Sequence, residues 1–592
     1  MSRSYIWDVA PCDDVAIGSL SAALKIPPVV AQLLCLRGLG DPEAAERFLR
    51  PSLDHLNDPF LLAGMTEAVE RLMAAIARKE RIVIHGDYDV DGVTSTVIMR
   101  RAIEMLGGNV AHFIPERLTD GYGLQPATVE RLHAAGAAVI VSVDCGIRGE
   151  DAARRARELG IDLIITDHHE PDTTLPPAFA IINPKRRDCR YPDKHLAGVG
   201  VALKLVQALC ARSGRDRWVP AFVKIAAIGT LADVVPLVGE NRVIAKLGLE
   251  MLSTGRHTVG LRSLLEASGL TNKTIDGFHV AFLMAPRINA AGRMSSPDIA
   301  TRLLLAIDEG QLAEARALAQ QLNDENAKRQ TEEAAIVTEA RKAVESDPAV
   351  GAHNILVVAG QGWHRGVIGI VASKLVDHFN KPAVVLSIED GVAHGSCRSI
   401  AAFDMLGALE RCADLFQRFG GHKQAAGLTM AADNVAEFRR RINAWADDAL
   451  DPRDLMRRLR IDAALPLRAI DAGVIEALAQ LGPYGAANAK PVFHAGPVQL
   501  VNGPRTIKER HLKMSVRQEG RTFPAIAWRF AERLPMFEEH RGSLEVAFSL
   551  DKNEFNGEAY VELTLADARG YDADRATLSE AAEPKGRVEG RG

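Results

Sequence analysis

The strongest chemical signal in the sequence is residues 85–95, which read His-Gly-Asp-Tyr-Asp-Val-Asp-Gly-Val-Thr-Ser. Asp87, Asp89 and Asp91 alternate directly after the apolar run at 81–84, and alternate residues of an extended chain project in the same direction. Converging carboxylates raise one another's pKa unless a divalent cation neutralises them. Oxygen ligands favour Mg²⁺ or Mn²⁺, and an added imidazole shifts the preference towards Mn²⁺. A calcium loop or a solvated acidic turn is the alternative, although the terminal glutamate of an EF-hand is not at its required position.

Three further acidic or histidine motifs follow later in the chain. Asp144 ends one apolar run, Asp167, His168 and His169 end another, and Asp233 lies in an apolar segment. A lone Asp at a strand end is often a helix cap, and a buried Asp needs a partner because an unpaired buried charge is costly. Adjacent histidines project differently, so one can bind a metal while the other faces a substrate, and Asp167 can orient an imidazole. Together these motifs supply ligands for two metal ions.

The elements that must position these residues are predicted from the apolar pattern. From about residue 70, short continuous apolar runs alternate with helical stretches, which indicates a parallel sheet covered on both faces. Ligands bind at the carboxyl ends of such strands, where the acids and histidines lie. No Gly or Pro occurs between Gly310 and Pro348, which predicts a long helical connector. A second α/β unit starts near residue 354, and short alternating runs at 455–568 are typical of a small β-barrel.

Length and composition limit the class of protein. The chain has 592 residues, of which 47% are hydrophobic and 25% charged, which excludes a disordered or fibrous protein and allows several cores. Its seven cysteines include no Cys-x-x-Cys pair, which argues against a disulfide framework or a structural zinc site. We expect no membrane-spanning helix, no signal peptide and a cytoplasmic location. The net charge of −5 alone argues against a general nucleic-acid binder.

The combined motifs resemble those of the DHH phosphoesterase superfamily and, within it, the RecJ family of single-strand-specific 5′→3′ exonucleases. Asp-His-His at 167–169 is the superfamily signature, and residues 85–92, 142–146 and 229–237 match further motifs of the RecJ branch. The resemblance covers roughly residues 40–565. It implies a hydrolase that removes nucleotides from the 5′ end of single-stranded DNA in recombination and repair, with two divalent cations, Mn²⁺ or Mg²⁺.

The resemblance also implies a domain organisation. It predicts an α/β protein in which a parallel-sheet DHH domain is joined by a long helical connector to a smaller α/β DHHA1 domain, followed by a β-barrel of the OB-fold. The expected segments are an N-terminal accessory segment at 1–70, the DHH catalytic domain at 71–305, the connector at 306–348, the DHHA1 domain at 349–452, the OB-fold at 453–570 and a flexible tail at 571–592.

Carried over to this sequence, the resemblance implies that one ion is bound by four residues, Asp91, Asp144, His168 and Asp233. A second ion would be bound by Asp89 and the shared Asp144. His85 stands where related pyrophosphatases have another metal ligand. Asp87 and His169 would support the ligands or face the phosphate. All of these residues except His85 make up the expected catalytic set.

Contacts to DNA are expected outside the metal motifs. In the loop after one strand, the resemblance places Arg117 on a phosphate and Tyr122 against a base. Arg287 and Arg293 stand among small residues that permit close approach, and guanidinium groups suit phosphate, but the sequence does not distinguish which of the two makes the contact. Without the resemblance, it is equally reasonable that Arg117 is simply exposed and that Tyr122 packs within a turn.

Further DNA contacts are expected in the second half of the chain. The resemblance assigns Ser396 and Arg398 to a pocket for the 5′-terminal phosphate and His422 to the cleft. The glycines around them can equally be ordinary turns. Residues 504–529 of the predicted barrel carry seven Lys or Arg against two Glu, so positive charge is concentrated there despite the negative total. This suits a single-strand platform, although OB-folds also bind proteins.

The resemblance alone implies partners beyond single-stranded DNA with a 5′ end, namely a single-strand-binding protein and a helicase. We expect a monomer without membrane association. Two alternatives stay open, a small-molecule or oligonucleotide DHH phosphoesterase and a non-catalytic relative associated with replication. The former are typically shorter and lack the barrel, whereas the latter lose metal ligands that this sequence retains.

Overall fold

The computed structural model describes residues 5–116, 123–555 and 558–572. Arg117 and Tyr122, two of the expected DNA contacts, lie outside the described residues. The chain divides into two compact units. The first, here called the large unit, comprises Arg50–Leu455 with Pro483–Asn488. The second, here called the barrel unit, comprises the described parts of Met1–Leu49, Met456–Gly482 and Ala489–Gly592.

The chain begins in the barrel unit. Its first elements are β1 (Ile6–Val9), α1 (Asp14–Leu24), α2 (Pro28–Cys35) and α3 (Pro42–Leu49). Asp13 caps α1 by accepting a hydrogen bond from the Ala16 amide, and α2 begins with a proline, whose missing N–H costs nothing there. In the parts of the chain that are described, no single helix is long and apolar enough to cross a bilayer; α1 and α2 meet the length and composition criteria only jointly, and they are bent by 116°.

A five-stranded parallel sheet carries the acidic motifs in the large unit, with strand order β3-β2-β4-β5-β6. Its strands are β2 (Arg81–His85), β3 (Asn109–Phe113), β4 (Val139–Val143), β5 (Asp162–Thr166) and β6 (Ala180–Ile182). The accompanying helices are α4 (Met65–Arg78), α5 (Val90–Met105), α6 (Pro126–Ala134) and α7 (Glu150–Glu158). Ile84 and Val141 pack into one hydrophobic cluster, and Val83 and Ile140 into another. Because alternate residues enter different cores, both faces are covered, which confirms the predicted sheet.

Helices complete the first half of the large unit and lead to the second half. They are α8 (Gly198–Arg212), α9 (Val219–Ala232), α10 (Gly239–Thr254), α11 (Val259–Ala267), α12 (Ala285–Met294) and α13 (Asp298–Leu305). A π-helical segment, His279–Met284, runs directly into α12. The predicted connector is confirmed as α14 (Leu312–Ser346), a helix of 35 residues, followed by the short α15 (Pro348–Gly351).

The second half of the large unit is built on a mixed sheet of order β10-β11-β9-β8-β7. Its elements are β7 (Leu356–Gln361), α16 (Ile368–Phe379), β8 (Ala383–Glu389), β9 (Val392–Arg398), α17 (Met405–Glu410), β10 (Phe416–His422), β11 (Ala425–Ala431) and α18 (Val435–Ala449). Only β7 and β8 pair in parallel, whereas β8 to β11 pair antiparallel in the order β8-β9-β11-β10. This arrangement brings the chain segments around Ser396 and His422 onto one sheet.

The rest of the barrel unit is an OB-type barrel. Its elements are β12 (Arg458–Ile461), β13 (Ala463–Ala464), α19 (Ala472–Gln480), β14 (Phe493–Ile507), β15 (His511–Gln518), β16 (Arg521–Ala527), α20 (Leu534–Glu539), β17 (Leu544–Phe555) and β18 (Glu558–Gly570). The sheet runs β13-β14-β15-β16-β18-β17, and an additional pairing of β14 with β17 closes it. The first strand, β1, pairs in parallel with β12, and the described chain up to Leu49 belongs to this unit. The predicted barrel is thereby confirmed.

Candidate metal-dependent active site

The first acidic motif leaves β2 and turns into α5, and two helix N-termini fix its carboxylates. Asp89 is the N-cap of α5 and accepts a hydrogen bond from the Gly92 amide at 3.1 Å. Asp91 is buried and accepts hydrogen bonds from the amides of Gly198 and Val199, each at 2.7 Å, at the start of α8. The backbone amides at a helix start favour a negative group, so α8 aims and stabilises this carboxylate.

Asp144 follows β4 in the left-handed backbone conformation, with φ of 61°, which is uncommon for a residue other than glycine. A Cβ at position 198 would lie 2.4 Å from its Oδ1, so glycine at 198 permits α8 to pack against it. Asp144 Oδ1 lies 3.2 Å from His168 Nε2, and neither buried atom has a hydrogen-bond partner among the described residues. Buried polar atoms are normally paired, so two that converge without a hydrogen bond suit a metal ion as their common partner.

Asp233 and His168 complete the convergence. Asp233 follows α9, and its Oδ2 lies 3.7 Å from Nε2 of His168, which is also 4.0 Å from Oδ2 of Asp91. Within the described residues, three sets have ligand atoms all within 4.8 Å of one another: Asp91 with His168 and Asp233, Asp87 with Asp89 and Asp144, and Asp144 with His168 and His169. We call Asp87, Asp89, Asp91, Asp144, His168 and Asp233 the acidic edge.

Asp167 supports the second histidine of the DHH motif rather than the first. Its Oδ1 accepts hydrogen bonds from the amides of His168 and His169 and lies 2.7 Å from Nδ1 of the His169 ring. Its other carboxylate oxygen accepts from the Ile147 amide at 2.9 Å. Burial alone would raise the pKa of Asp167, but these hydrogen bonds outweigh burial and lower it. The ring of His169 is therefore oriented by a carboxylate that stays charged.

The electrostatics of the acidic edge favour the binding of a cation. Burial, reinforced by Asp89, raises the pKa of Asp87 to about 8 and that of Asp233 to about 7. Burial and neighbouring carboxylates also raise the pKa of Asp91 and Asp144 well above the ordinary value. Burial lowers the pKa of His168 to about 4, which keeps its imidazole neutral, the form that binds metals. The raised pKa values mean that uncompensated negative charge is unfavourable at this edge, so the donor set fits divalent cations.

His85 and Cys145 lie beneath this edge. His85 is the last residue of β2 and is fully buried, with its Nδ1 3.5 Å from the Cys145 thiol and its ring 5.8 Å from that of Phe113. Burial raises the pKa of Cys145 well above its ordinary value, so the thiol is protonated. Among the described residues, His85 lies in none of the three ligand sets. Its expected role as a metal ligand stays a prediction.

Arg287 and Arg293 lie on α12 in different surroundings. Arg287 donates to the Leu283 carbonyl at 2.6 Å and to Asn323 of α14 at 3.1 Å. Arg293 donates to the Gly366 carbonyl at 2.9 Å, in the loop before α16. Arg293 therefore lies where the two halves of the large unit meet, whereas Arg287 is bound to the connector.

Ser396 and Arg398 form a small cationic pocket on β9. The Arg398 guanidinium donates to Ser396 Oγ at 3.2 Å and to the Cys397 carbonyl at 2.8 Å. A Cβ at Gly369 would lie 3.0 Å from Ser396 Oγ and 3.2 Å from Nη2 of Arg398, so both side chains face the first turn of α16. We call Gly369, Ser396 and Arg398 the β9 pocket. A hydroxyl and a guanidinium converge there and can donate hydrogen bonds to an anion. His422 ends β10 on the same sheet and is exposed.

Several residues that shape the site were not identified from the sequence. The amides of Gly198 and Val199 hold Asp91, and the only available signal was the Ala-Gly-Val-Gly run at 197–200. Asn289 accepts a hydrogen bond from the Val90 amide at 3.2 Å and so supports the start of α5. It lies beside the two arginines that the sequence did suggest.

Comparisons with known proteins agree with this geometry. Three family models match the chain, the DHH family N-terminal domain at residues 81–230, the DHHA1 domain at 352–448 and the RecJ OB domain at 461–567. The single-stranded-DNA-specific exonuclease RecJ of Bacillus subtilis (strain 168) is 38% identical over 95% of this chain and 70% of its own length. The RecJ of Escherichia coli (strain K12) is 35% identical over 91% of this chain and 96% of its own length.

Solved structures give the same result. A crystal structure of RecJ from Thermus thermophilus in complex with Mn²⁺ superposes with a TM-score of 0.81 at 34% identity, covering 96% of this chain and 80% of that one. A structure of the exonuclease RecJ bound to manganese gives 0.59 at 38% identity, covering 68% of this chain and 98% of that one. Domain content, sequence identity and superposition together show that this chain belongs to the RecJ family of the DHH phosphoesterase superfamily.

Proposed function

We propose that this protein is a metal-dependent exonuclease that hydrolyses the phosphodiester bonds of single-stranded DNA from the 5′ end, in DNA recombination and repair. The observation that carries the proposal is the acidic edge, where buried carboxylates converge on a neutral histidine with ligand atoms close enough to share metal ions. Curated relatives that are 32–38% identical over most of the chain bear the name of single-stranded-DNA-specific exonucleases. A small-molecule phosphoesterase has no need of the additional OB domain, and a non-catalytic relative has no need of the intact ligand set.

We propose that these donors are divided between two ions. Asp91, His168 and Asp233 would bind one, and Asp87, Asp89 and Asp144 the other, with Asp144 also within reach of His168. Related structures were obtained with Mn²⁺ and with Mg²⁺, and oxygen donors with one imidazole suit both metals. Such ions, when bound, neutralise phosphate charge as Lewis acids and make water a better nucleophile at neutral pH.

The protein's own residues contribute positioning and hydrogen bonds. The α8 amides hold Asp91 so that its carboxylate does not rotate away. The low pKa of His168 keeps its imidazole neutral, so that Nε2 can serve as a metal ligand. The ring of His169 is 38% exposed, and hydrogen bonding to Asp167 outweighs burial and raises its pKa. His169 is thereby suited to donate a hydrogen bond to a phosphate oxygen of the substrate.

Polarity would come from the β9 pocket. A 5′-terminal phosphate bound by Ser396 and Arg398 would place the first phosphodiester bond towards the acidic edge. The hydrogen bond from Arg293 to Gly366 supports a fixed spacing between the two halves of the large unit. A fixed spacing would release products of uniform, mononucleotide length. His422 would line the same cleft.

The barrel unit would bind the strand further from its end. Trp528 is 52% exposed and packs edge-on against His511, with ring centroids 4.8 Å apart, at the basic segment 504–529. Phe523 lies under the Arg521 guanidinium, 5.7 Å from the ring centroid. Aromatic and cationic side chains together form the usual single-strand platform.

We also propose that the protein is a cytoplasmic monomer that cooperates with a single-strand-binding protein and a helicase.

The test is digestion of 5′-labelled and 3′-labelled single strands and of blunt duplex, with Mn²⁺ and with Mg²⁺. The proposal predicts immediate release of labelled mononucleotide from the 5′-labelled strand and late release from the 3′-labelled strand. Blunt duplex should resist digestion. An Asp144→Ala variant should be inactive in the same series, with Asp448→Ala at an exposed helical position as its control. Equal digestion of duplex, or activity that survives loss of Asp144, would refute the proposal.

A further inference from the structure

We infer that Lys185 is an additional phosphate-contacting residue, which binds a backbone phosphate of the DNA strand held at the acidic edge. This inference rests on the proposed function. It adds a cation to a site whose other side chains are acids and imidazoles, and no sequence motif pointed to it.

The backbone places Lys185 at the same end of the sheet as the metal ligands. Strands β5 and β6 pair in parallel with Thr166 opposite Ile182, so the residues that follow them leave the sheet side by side. Asn183 is fully buried and donates from its side chain to the His169 carbonyl at 2.9 Å. The same side chain accepts a hydrogen bond from the Lys185 amide at 2.8 Å. Lys185 is thus fixed next to the DHH motif through one asparagine.

The ammonium group of Lys185 is available to a ligand. Its Nζ lies 3.2 Å from Oε1 of Glu170, in an ion pair whose side chains are 26% and 66% exposed. Such half-exposed pairs contribute little stability, so a phosphate can replace Glu170 at small cost. Lys194, in the same loop, differs because its Nζ donates to the carbonyls of Pro184 and Cys189 at 2.8 and 2.7 Å. Lys194 holds the loop together, whereas the ion pair that Lys185 makes within the described part of the chain is with the mostly exposed carboxylate of Glu170.

The first experiment measures kcat/KM for a 5′-phosphorylated single strand at several salt concentrations. A lysine that contacts phosphate contributes about 0.7 to the slope of log affinity against log salt for single strands. Lys185→Met should therefore lower the magnitude of this slope by about 0.7, and it should lower kcat/KM at low salt by roughly 10-fold or more. Lys185→Arg should retain most of both quantities. Lys342→Met, at an exposed position of α14, is the matched control and should change neither.

A second variant separates phosphate binding from a purely structural role. Glu170→Gln removes the competing carboxylate and should leave kcat/KM unchanged or raise it. If Lys185 only holds Glu170 in place, Glu170→Gln and Lys185→Met should lower kcat/KM equally and leave the salt slope unchanged. That result would overturn the inference, as would a Lys185→Met enzyme with the wild-type slope. Lys185→Gln replaces Lys185→Met if the methionine variant fails to fold. An inactive wild-type enzyme would refute the proposed function instead, so the two failures are distinguishable.

Discussion

The acidic edge and the β9 pocket use burial and charge in opposite ways. At the acidic edge, Asp87, Asp91 and Asp144 are almost completely buried, and burial raises the pKa of each of them. In the β9 pocket, Ser396 and Arg398 are only partly buried and face a helix start across a glycine. The first region is built to receive cations and the second to receive an anion. The net charge of −5 averages over both regions and therefore says little about nucleic-acid binding.

The largest effect is expected from a neutral substitution at the acidic edge. Asp144→Asn should lower kcat/KM by about 1,000-fold or more, beyond the roughly 10- to 100-fold typical of residues that only support metal ligands. The same variant should stabilise the metal-free protein, because a buried carboxylate with a raised pKa is replaced by an uncharged amide. Steady-state kinetics and thermal unfolding with and without Mn²⁺ measure the two effects. Loss of activity together with destabilisation of the metal-free protein would contradict this account of the edge.

A smaller effect is expected from the helix that supports the edge. Gly198→Ala would bring a methyl group 2.4 Å from Asp144 Oδ1, so α8 must shift and its hydrogen bonds to Asp91 must lengthen. Mn²⁺ affinity should fall by roughly 10- to 100-fold. Gly200→Ala is the control in the same helix, since its Cβ would meet the Leu196 side chain at no less than 3.1 Å and lies against no metal ligand. Calorimetric titration with Mn²⁺ would decide, and equal affinities of the two variants would disprove the role of α8.

In the β9 pocket, Arg398→Ala should affect recognition of the strand end and leave the metals in place. The ratio of kcat/KM for 5′-phosphorylated over 5′-hydroxyl strands should fall by roughly tenfold, the value of a charge-assisted hydrogen bond. Mn²⁺ affinity should not change. A fall in activity that is equal for both strand ends would mean that the pocket does not read the terminal phosphate.

The smallest expected effect is a pH dependence of the metal-free protein. Because the folded-state pKa of Asp87 is raised to about 8, the folded state binds the proton that the unfolded state loses near its ordinary value of 3.8. The contribution of this group to stability is therefore present at low pH and is lost as the pH rises towards 8. Asp87→Asn should remove that loss. The unfolding midpoint of the variant should therefore exceed that of the wild type by about 2–4 °C at pH 8 and by less at pH 5. Thermal unfolding in the presence of a chelator at both pH values measures this difference. A larger difference at pH 5 than at pH 8 would contradict the predicted direction of the pH dependence.

Much of the site was predictable because its residues stand where apolar strands end. Asp144 and the DHH motif are each preceded by a buried strand, and the lack of Gly and Pro predicted the 35-residue α14. Contacts between distant residues were not predictable. The hydrogen bond between Asp91 and Val199 joins positions 108 residues apart, and no local pattern encodes it.

Other features depended on how helices meet. The roles of Arg287 and Arg293 differ because one faces α14 and the other faces the loop at Gly366, which the sequence of α12 alone does not reveal. Lys185 was overlooked because a lysine after a strand is common, and only the hydrogen bonds of Asn183 place it beside the DHH motif.

The most direct test of the central claim is anomalous diffraction from crystals of the protein grown with Mn²⁺. The account predicts two peaks, one among Asp91, His168 and Asp233 and one among Asp87, Asp89 and Asp144. Both peaks should vanish or weaken in crystals of the Asp144→Asn variant, since Asp144 approaches both sets. An active enzyme whose crystals show Mn²⁺ elsewhere, or no Mn²⁺ at the acidic edge, would contradict the account.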